Sequence, residues 1–465
     1  MDPPLQVRCA PAAIEESSSE GLRLIVLATA VTSIGGFLFG YDTAVISGAI
    51  GFIKSHFGLT VAQEGWAGAS AIVGCIPGAM FAGFLSDRFG RKKVLLLCAL
   101  LYAISGIASA LPRTFALFIA ARFVGGLGIG ASSMICPLYI AEIAPPRHRG
   151  RLTTLFQLGI VLGIFIVFFV NLMIQRRGDA HWNALYGWRW MLGSEALPAV
   201  VFLALLFLVP ESPRWLAING RGDEARTILT RMTSAQAAEQ ELSAVTKVSG
   251  DETGRFIELL GPDFRRPLVL AVALAAFAQL SGINAIMYYG PEVFKAAGGT
   301  TDVAFAFTVW VGAINFVFTF VAIWLVDKAG RKPLLILGTA VQTISLFSVG
   351  WMYHRGIQGT GVLIAVLGYV AAFAMAMGPI PWIIISEIFP ARIRGRASSV
   401  GTFSVWVSCF LVAQTFPSLQ EGIGLDRTFY VYGACSLASL VFVATALPET
   451  RGRSLEEIEA SWRRR

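Results

Sequence analysis

The sequence predicts an all-α transmembrane protein with twelve membrane-spanning helices. Of its 465 residues, 55% are hydrophobic and only 14% are charged, whereas an average soluble domain has about 25% charged residues. Apolar runs of about 20 residues recur along the chain, and each can cross a hydrocarbon layer of ~30 Å as a helix. A transmembrane barrel is excluded, because its strands are about ten residues long and alternate in polarity.

The apolar runs give the positions of the twelve predicted spans. They lie near residues 22–50, 63–86, 94–112, 115–140, 153–175, 187–209, 268–290, 302–326, 334–353, 361–386, 398–418 and 427–447. The segment before them is polar and acidic, which is wrong for a cleavable signal peptide. We therefore expect span 1 to remain in the protein.

Basic residues are concentrated in the loops that follow the even-numbered spans. Examples are Arg91 after span 2, Arg149 after span 4, Arg331 after span 8 and Arg394 after span 10. By the positive-inside rule, these loops and both termini are expected to be cytoplasmic. The net charge of +8 thus reflects membrane topology and does not indicate nucleic-acid binding.

Metal and catalytic sites are not indicated by the sequence. The six cysteines and four histidines are scattered without ligand spacing. No nucleophile–base pair stands in or beside the spans. We expect no metal, no bound cofactor and no enzymatic activity.

The two halves of the chain repeat each other. FLSDRFGRKKVLLL (84–97) matches WLVDKAGRKPLLIL (324–337), and YIAEIAPPRHRGR (139–151) matches IISEIFPARIRGR (384–396). LVPESPRWL (208–216) weakly matches ALPETRGRSL (446–455). Such duplication is typical of transporters. The predicted organisation is a cytoplasmic tail at 1–20, a six-helix bundle at 21–209, a cytoplasmic linker with short helices at 210–266, a second bundle at 267–447 and a tail at 448–465.

The repeated segments combine acids with arginines, which predicts ion pairs between helices at the cytoplasmic side. These latches would tie the two halves together when a cavity faces outward, and break when it opens inward. The alternative is that the residues are solvated loops and topology anchors. The predicted latch residues are Asp87, Arg91, Glu142, Arg149, Glu211, Arg214, Asp327, Arg331, Glu387 and Arg394.

Asp42 is a carboxylate about 20 residues into the first apolar run, within FLFGYDTAVISG (37–48). It could be solvated at the end of a short span. Arg122 begins the stretch RFVGGLGIG of span 4, and two opposite charges inside one bundle cost less free energy paired than apart. A carboxylate binds and releases a proton while arginine stays charged, so the pair is a candidate proton switch.

Polar side chains at mid-span are candidates to line a wet cavity. Gln157, Gln279 and Asn284 offer donors and acceptors that suit a polyhydroxylated ring, and Tyr288 follows on the same span. The aromatic rings of Phe39, Trp382 and Trp406 can pack against the C–H face of such a ring. The alternatives are hydrogen bonds between helices and ordinary helix packing.

The ordered motifs resemble the sugar porter family of the major facilitator superfamily over nearly the whole chain after residue 20. They are GFLSDRFGRK (83–92), RFVGGLGIG (122–130), PESPRWL (210–216), QLSGINAIMYYGPEVF (279–294), DKAGRK (327–332), SEIFPARIRG (386–395) and PETRG (448–452). Within the family, the sequence resembles the bacterial xylose–proton symporters. The resemblance implies two pseudo-symmetric six-helix bundles that rock around a central cavity.

The resemblance also implies roles for single residues. The positions that match sugar contacts in the family are Gln157, Gln279, Asn284, Tyr288, Trp382 and Trp406, with Phe39 and Gly378 close by. An aspartate at position 42 with Arg122 marks proton-coupled members, and Glu195 matches a second position implicated in coupling. Ala278, Ile164 and Val405 stand where relatives have glutamines, so the cavity has fewer hydrogen-bonding groups.

The expected function is proton-coupled import of a monosaccharide, a pentose or hexose, or a related polyol by alternating access. The alternatives are a facilitative uniporter, in which Asp42 is structural, a transporter-like sugar sensor, and an exporter. Protons are the expected coupling ion. The expected partners are the sugar and the lipid bilayer, with no nucleic acid, and a monomer in a bacterial inner membrane is expected to be functional.

Overall fold

A computed structural model of the chain describes residues 19–145, 149–248, 256–389 and 391–449. These residues are helical apart from short connections, and no strand occurs among them. They contain twelve helical regions that are long and apolar enough to cross a membrane. The predicted fold class is confirmed, and the chain is an integral membrane protein.

The twelve spans follow the predicted order with shifted ends. They are Ser19–Phe57, Val61–Phe89, Arg91–Ala110, Phe115–Ile143, Arg149–Gln175, span 6 from Ala180 to Leu206, span 7 as Pro262–Leu280 and Ile283–Ala296, Thr301–Ala329, Arg331–His354, span 10 from Thr360 to Glu387, Ala391–Ile423 and Leu425–Ala446. Successive spans run in opposite directions. The end with the connections near 90, 146, 207–261, 330 and 390 is here called the basic end, and the other end is called the far end.

Glycine sets the turns between spans 2 and 3 and between spans 8 and 9. Gly90 has φ +99° and Gly330 has φ +94°, a region that residues with a Cβ rarely adopt. The two glycines occupy the same place in the repeated D-R-x-G-R and D-K-x-G-R segments. The sequence repeat is therefore also a repeat of backbone geometry.

Three spans contain interruptions that the sequence did not predict. Span 7 breaks at Gly282, which has φ +87°. Spans 6 and 10 each contain a π-helical turn, Asn183–Gly187 and Phe373–Met377. Such interruptions are common at functional sites and in transporter helices. Those in spans 7 and 10 adjoin several of the predicted sugar contacts.

Glycines also allow the helices of the first half to pack closely. A Cβ on Gly126 would overlap the Ala71 carbonyl oxygen of span 2, and one on Gly40 would overlap the Ile160 carbonyl oxygen of span 5. Helices in lipid associate through such close van der Waals contact. This explains the small residues of the RFVGGLGIG segment without a nucleotide-binding role.

The linker forms three short helices, Pro213–Ile218, Gly222–Met232 and Ala235–Val248, and a 3₁₀ turn, Phe256–Leu260. Their core contains Trp215, Leu229 and Ala238. The indole Nε1 of Trp215 donates to the Asp87 carbonyl oxygen at 2.8 Å. The linker is thus attached to the basic end of the first half.

Candidate functional site

Asp42 and Arg122 meet in the interior of the first half. Arg122 Nη1 donates to Asp42 Oδ1, and Arg122 Nη2 donates to the Asp42 backbone oxygen at 3.0 Å. The Asp42 side chain is 0% exposed and that of Arg122 is 1% exposed. Since each charge is removed from water, each depends on the other for its stabilisation.

Glu195 is the third charged residue of this cluster. It follows the helix Trp188–Gly193 in span 6, is 1% exposed, and lies within side-chain hydrogen-bonding reach of Asp42. Two carboxylates cannot donate to each other, so a hydrogen bond between them requires a proton on one. The cluster is electrically neutral when it holds one such proton, and negative when it holds none.

Two hydrogen-bonded pairs of hydroxyl groups come from the helices that carry the cluster. Tyr41 and Ser194, the neighbours of Asp42 and Glu195, share a hydrogen bond of 2.7 Å. Tyr102 and Ser132 share another of 2.7 Å. Sequence reasoning missed all four, because a mid-span hydroxyl is ordinarily satisfied by its own helix and gives no separate signal.

The predicted sugar contacts of spans 1, 7 and 11 lie where the two halves meet. The rings of Phe39 and Trp406 are 5.7 Å apart, one from each half. Trp406 is 5% exposed, and its buried Nε1 has no partner among the described residues. Asn284 Nδ2 donates to Gln279 Oε1 at 2.6 Å. These residues offer an aromatic pair with an unused N–H donor and, on span 7, an amide pair.

The remaining predicted contacts differ in exposure. Tyr288 is buried, with its hydroxyl 3.6 Å from Cys409 Sγ. Gln157 in span 5 is half-buried, Gly378 directly follows the π-helical turn of span 10, and Trp382 is 43% exposed. Trp382 lies toward the basic end of span 10.

The residues that replace glutamines are apolar and packed. Ala278 is 3% exposed and precedes Gln279 just before the break in span 7. Ile164 and Val405 are partly buried and pack against two buried apolar clusters. No hydrogen bond can be offered by these three side chains.

The latch residues of the first half converge on Arg91. Its Nε and Nη2 donate to the Glu142 carboxylate, both at 2.9 Å, and its Nη1 contacts Asp87 Oδ1 at 3.0 Å. Glu211 Oε1 accepts the backbone N–H groups of Arg91 and Lys92 at 2.9 and 3.1 Å. The predicted partner Arg214 is exposed.

The second half repeats this arrangement. Arg331 Nη2 donates to Glu387 Oε1 at 3.0 Å, and Glu449 accepts the backbone N–H groups of Arg331 and Lys332 at 3.2 and 3.0 Å. Glu449 was missed, although the PESPR and PETRG match pointed to it as the counterpart of Glu211. The side chains of Arg149, Asp327 and Arg394 lie outside the described part of the chain.

Each described latch pair joins helices of the same half. The reason is geometric: the arginine after each tight turn points back into its own bundle, toward the span 2–4 or span 8–10 contact. A tie between halves in another conformation stays a prediction.

Comparison with known proteins decides the family. The Sugar (and other) transporter family matches residues 28–462. The chain belongs to this family of transporters. It is 42% identical to the arabinose–proton symporter of Bacillus subtilis (strain 168) over 446 residues, 96% of each chain, and 40% identical to the D-xylose–proton symporter of Escherichia coli (strain K12), covering 93% of this chain and 95% of that protein.

Solved structures agree with this assignment. The partially occluded inward-open conformation of the xylose transporter XylE from E. coli superimposes with a TM-score of 0.84 at 36% identity, covering 93% of this transporter and 100% of that chain. The resemblance found in the sequence motifs is thereby confirmed.

The two halves of this transporter contact each other at the far end. Arg176 and Asp302 form an ion pair there, Lys295 lies 5.6 Å from the Phe52 ring, and Gln414 Nε2 donates to the Ala62 carbonyl oxygen at 3.2 Å. A cavity of about 600 Å³ lies beside these contacts, lined by residues that include Lys54, Glu64, Glu292, Lys295 and Glu421. We refer to this group of contacts as the far-end seal.

Proposed function

We propose that the chain is a proton-coupled symporter that imports a monosaccharide, a pentose or hexose, or a related polyol. The observation that carries the proposal is the buried cluster of Asp42, Arg122 and Glu195. The cluster lies in the first half, and Phe39 of the same half contributes to the junction with the second half. A bundle that only conducts sugar has no need of three buried ionisable groups, which cost free energy to bury.

Sugar as the substrate class is supported by the chemistry of the junction. The amides of Gln279 and Asn284 can donate to and accept from hydroxyl groups, the Trp406 N–H is unused, and aromatic faces suit the C–H face of a sugar. Both relatives named above carry the names of pentoses, so arabinose and xylose are the first candidates. The apolar residues Ala278, Ile164 and Val405 favour a substrate that needs fewer hydrogen bonds than those of the glutamine-bearing relatives.

Protons are the proposed coupling ion. When Asp42 and Glu195 share a proton, the cluster is neutral and the bundle can change conformation without exposing net charge. Loss of that proton leaves a net negative charge that favours solvent access. Arg122 stays charged throughout and holds Asp42 in place.

The described conformation is proposed to be the inward-facing one. The basic end carries the excess of lysine and arginine, so the positive-inside rule assigns it and both termini to the cytoplasm. The far-end seal then closes the periplasmic side of a bacterial inner membrane. A single chain contains both halves, so a monomer suffices for transport.

Reconstitution tests the function directly. Purified protein in proteoliposomes, with the outside more acidic than the inside, is supplied with labelled arabinose, xylose, glucose or a pentitol. We expect at least one of these compounds to accumulate above its external concentration. This concentration gradient of the compound should collapse when a protonophore removes the pH gradient. Equilibration without accumulation would instead show a uniporter, and binding without any flux would show a sensor.

A further inference from the structure

The backbone of span 6 is loosely bonded where it carries Glu195. The two helices on either side of this turn are Trp188–Gly193 and Ala196–Leu206. The Glu195 N–H bonds to the Leu192 carbonyl oxygen at 3.4 Å, and the Leu197 N–H bonds to a carbonyl oxygen three residues back, also at 3.4 Å. A regular α-helix bonds four residues back, and well-formed N–H···O bonds measure about 2.7–3.2 Å. The turn at Ser194 and Glu195 therefore lacks regular helical hydrogen bonds.

Two residues of the sequence explain this loose turn. Pro198 has no N–H, so the Ser194 carbonyl oxygen lacks the partner that a helix would supply four residues ahead. The Ser194 hydroxyl donates to the Met191 carbonyl oxygen at 2.6 Å, which is the oxygen that the Glu195 N–H would bond in a regular helix. The backbone therefore holds Glu195 weakly, and the position of its carboxylate depends on side-chain contacts.

Tyr41 of span 1 supplies such a contact. Its hydroxyl oxygen lies 2.7 Å from Ser194 Oγ. Because the one proton of the Ser194 hydroxyl is donated to Met191, Tyr41 is the donor in this bond. Tyr41 is 3% exposed, and a hydrogen bond is electrostatically stronger where water is excluded. The bond ties span 1 to span 6 at the residues directly before Asp42 and Glu195.

The groups that interact electrostatically with Asp42 and Glu195 come from several helices. The charged group is Arg122 of span 4, which interacts with both carboxylates. The other titratable neighbours are the phenol of Tyr41, the thiol of Cys75 on span 2 and the phenol of Tyr102 on span 3. Of these neighbours, Tyr41 is the one bonded to the loose turn that carries Glu195.

We propose that Tyr41 and Ser194 are positioning residues for the proton site, whose hydrogen bond holds the loose turn of span 6 so that Glu195 shares a proton with Asp42. Neither hydroxyl carries the transported proton. While their bond is intact, the two carboxylates stay within hydrogen-bonding reach. Without it, Glu195 moves away and the proton is held by one carboxylate alone. The inference rests on the proposed proton coupling and names the residues that set the geometry of the proton site.

The test is the pH profile of proton-driven sugar uptake for Tyr41→Phe in proteoliposomes. The variant keeps the ring and removes the hydroxyl. A proton on one carboxylate alone lacks the hydrogen bond to the second, so it is bound more weakly and a lower pH is needed to load it. We expect the external pH of half-maximal uptake to fall by roughly one unit, the order expected for one hydrogen bond to a charged group. Sugar exchange at the same acidic pH on both sides should be unchanged, since Tyr41 is not among the predicted sugar contacts.

Ser194→Ala shows whether the Tyr41 hydroxyl acts through its partner. In a Ser194→Ala background the bond is already lost, so adding Tyr41→Phe should cause no further shift of the pH profile. Two substitutions that remove the same interaction are not additive, whereas independent ones are.

Tyr139→Phe is the matched control. Tyr139 lies in span 4 of the same half and is 0% exposed. Its hydroxyl donates to the Pro210 carbonyl oxygen at 2.6 Å, so the variant also loses one buried tyrosine hydrogen bond. That bond lies at the basic end, between span 4 and the connection that follows span 6. Tyr139→Phe should therefore keep the pH profile of the wild type.

Three results would overturn the positioning role. The first is an unchanged pH profile in Tyr41→Phe. The second is an equal shift in Tyr139→Phe, which would mean a general effect of losing a buried hydroxyl. The third is a full further shift when Tyr41→Phe is added to Ser194→Ala, which would mean that the Tyr41 hydroxyl acts on another group. Failure of the wild type to accumulate sugar under a pH gradient is a different outcome, since it contradicts the proposed function itself.

Discussion

Arg176 and Asp302 form a bidentate ion pair between the two halves of the transporter. Arg176 Nε is 2.5 Å from Asp302 Oδ1, and Nη2 is 2.9 Å from Oδ2. The arginine directly follows span 5 and the aspartate lies in the first turn of span 8, so the pair joins the two halves at the far end. The hydrogen bond to Asp302 raises the pKa of Arg176 above its ordinary value, and the guanidinium stays charged at every pH used for transport.

Reversal of one charge should weaken the far-end seal. In Arg176→Asp, two carboxylates face each other, and we expect the ratio of closed to open far ends to fall about twofold to fivefold, the range for exposed ion pairs. Double electron–electron resonance measures the distance between spin labels at positions 113 and 355, in the far-end loops of the two halves. The distance distribution reports this ratio. The effect should shrink at high salt, which screens exposed charges.

The same experiment contains its own controls. Asp302→Arg combined with Arg176→Asp restores opposite charges and should restore the wild-type distance distribution. Arg177→Asp changes the same charge one residue further on, where the exposed side chain has no ion pair among the described residues. If Arg177→Asp shifts the distribution as much as Arg176→Asp, the specific pair does not contribute to the seal.

A larger residue at Gly68 should prevent closure of the far end. A Cβ there would overlap the Tyr289 hydroxyl, which donates to the Ala413 carbonyl oxygen at 2.9 Å. Gly68→Leu is expected to reduce sugar exchange at least tenfold while sugar binding persists in the conformation with an open far end. Gly422→Leu, at a far-end glycine with open space around it, should exchange sugar normally. Normal exchange in Gly68→Leu would contradict the described contact.

Much of this fold could be predicted because its signals are local in sequence. Hydropathy marks each span, charge marks each loop, and the repeated D-x-x-G-R segments mark the two halves. The breaks at Gly282 and at the π-helical turn Phe373–Met377 were not predictable in the same way. A span stays apolar in composition across such a break, and a hydropathy profile carries no information about backbone geometry.

The residues of the candidate site likewise separate into those with a local sequence signal and those without one. Asp42 and Arg122 stood out because a charge in an apolar run is expensive, and the structure joins them. Ser132 and Ser194 did not, because serine is ordinary in a helix. The partner of Arg91 was predicted in kind but not singled out, since spacing along the chain does not tell which acidic residue at the basic end the guanidinium meets.

The latch of the first half should contribute more to stability than its counterpart. The side chains of Arg91 and Glu142 are 7% and 5% exposed, against 15% and 24% for Arg331 and Glu387. Glu142→Ala leaves a buried guanidinium with fewer partners, which costs about 3 kcal/mol. Glu387→Ala should cost clearly less. Thermal unfolding in detergent measures both, and a larger loss in Glu387→Ala would contradict the burial argument.

Restoring a glutamine at position 278 should strengthen sugar binding. Ala278→Gln adds a donor and an acceptor beside Gln279, and one hydrogen bond to a neutral hydroxyl is worth ~0.5–1.5 kcal/mol. We expect a twofold to tenfold lower dissociation constant, at this order of magnitude, for the transported sugar. Ala278→Leu, similar in size without hydrogen-bonding atoms, is the control for packing. Equal effects of the two variants would show that position 278 does not contact the sugar.

The proton role of Asp42 is tested most directly by comparing accumulation and exchange in Asp42→Asn. The amide keeps the shape of the side chain but cannot carry the proton. In proteoliposomes with an acidic exterior, we predict that Asp42→Asn fails to accumulate labelled sugar and still exchanges internal for external sugar at equal pH. Accumulation by Asp42→Asn equal to that of the wild type would contradict proton coupling through this cluster.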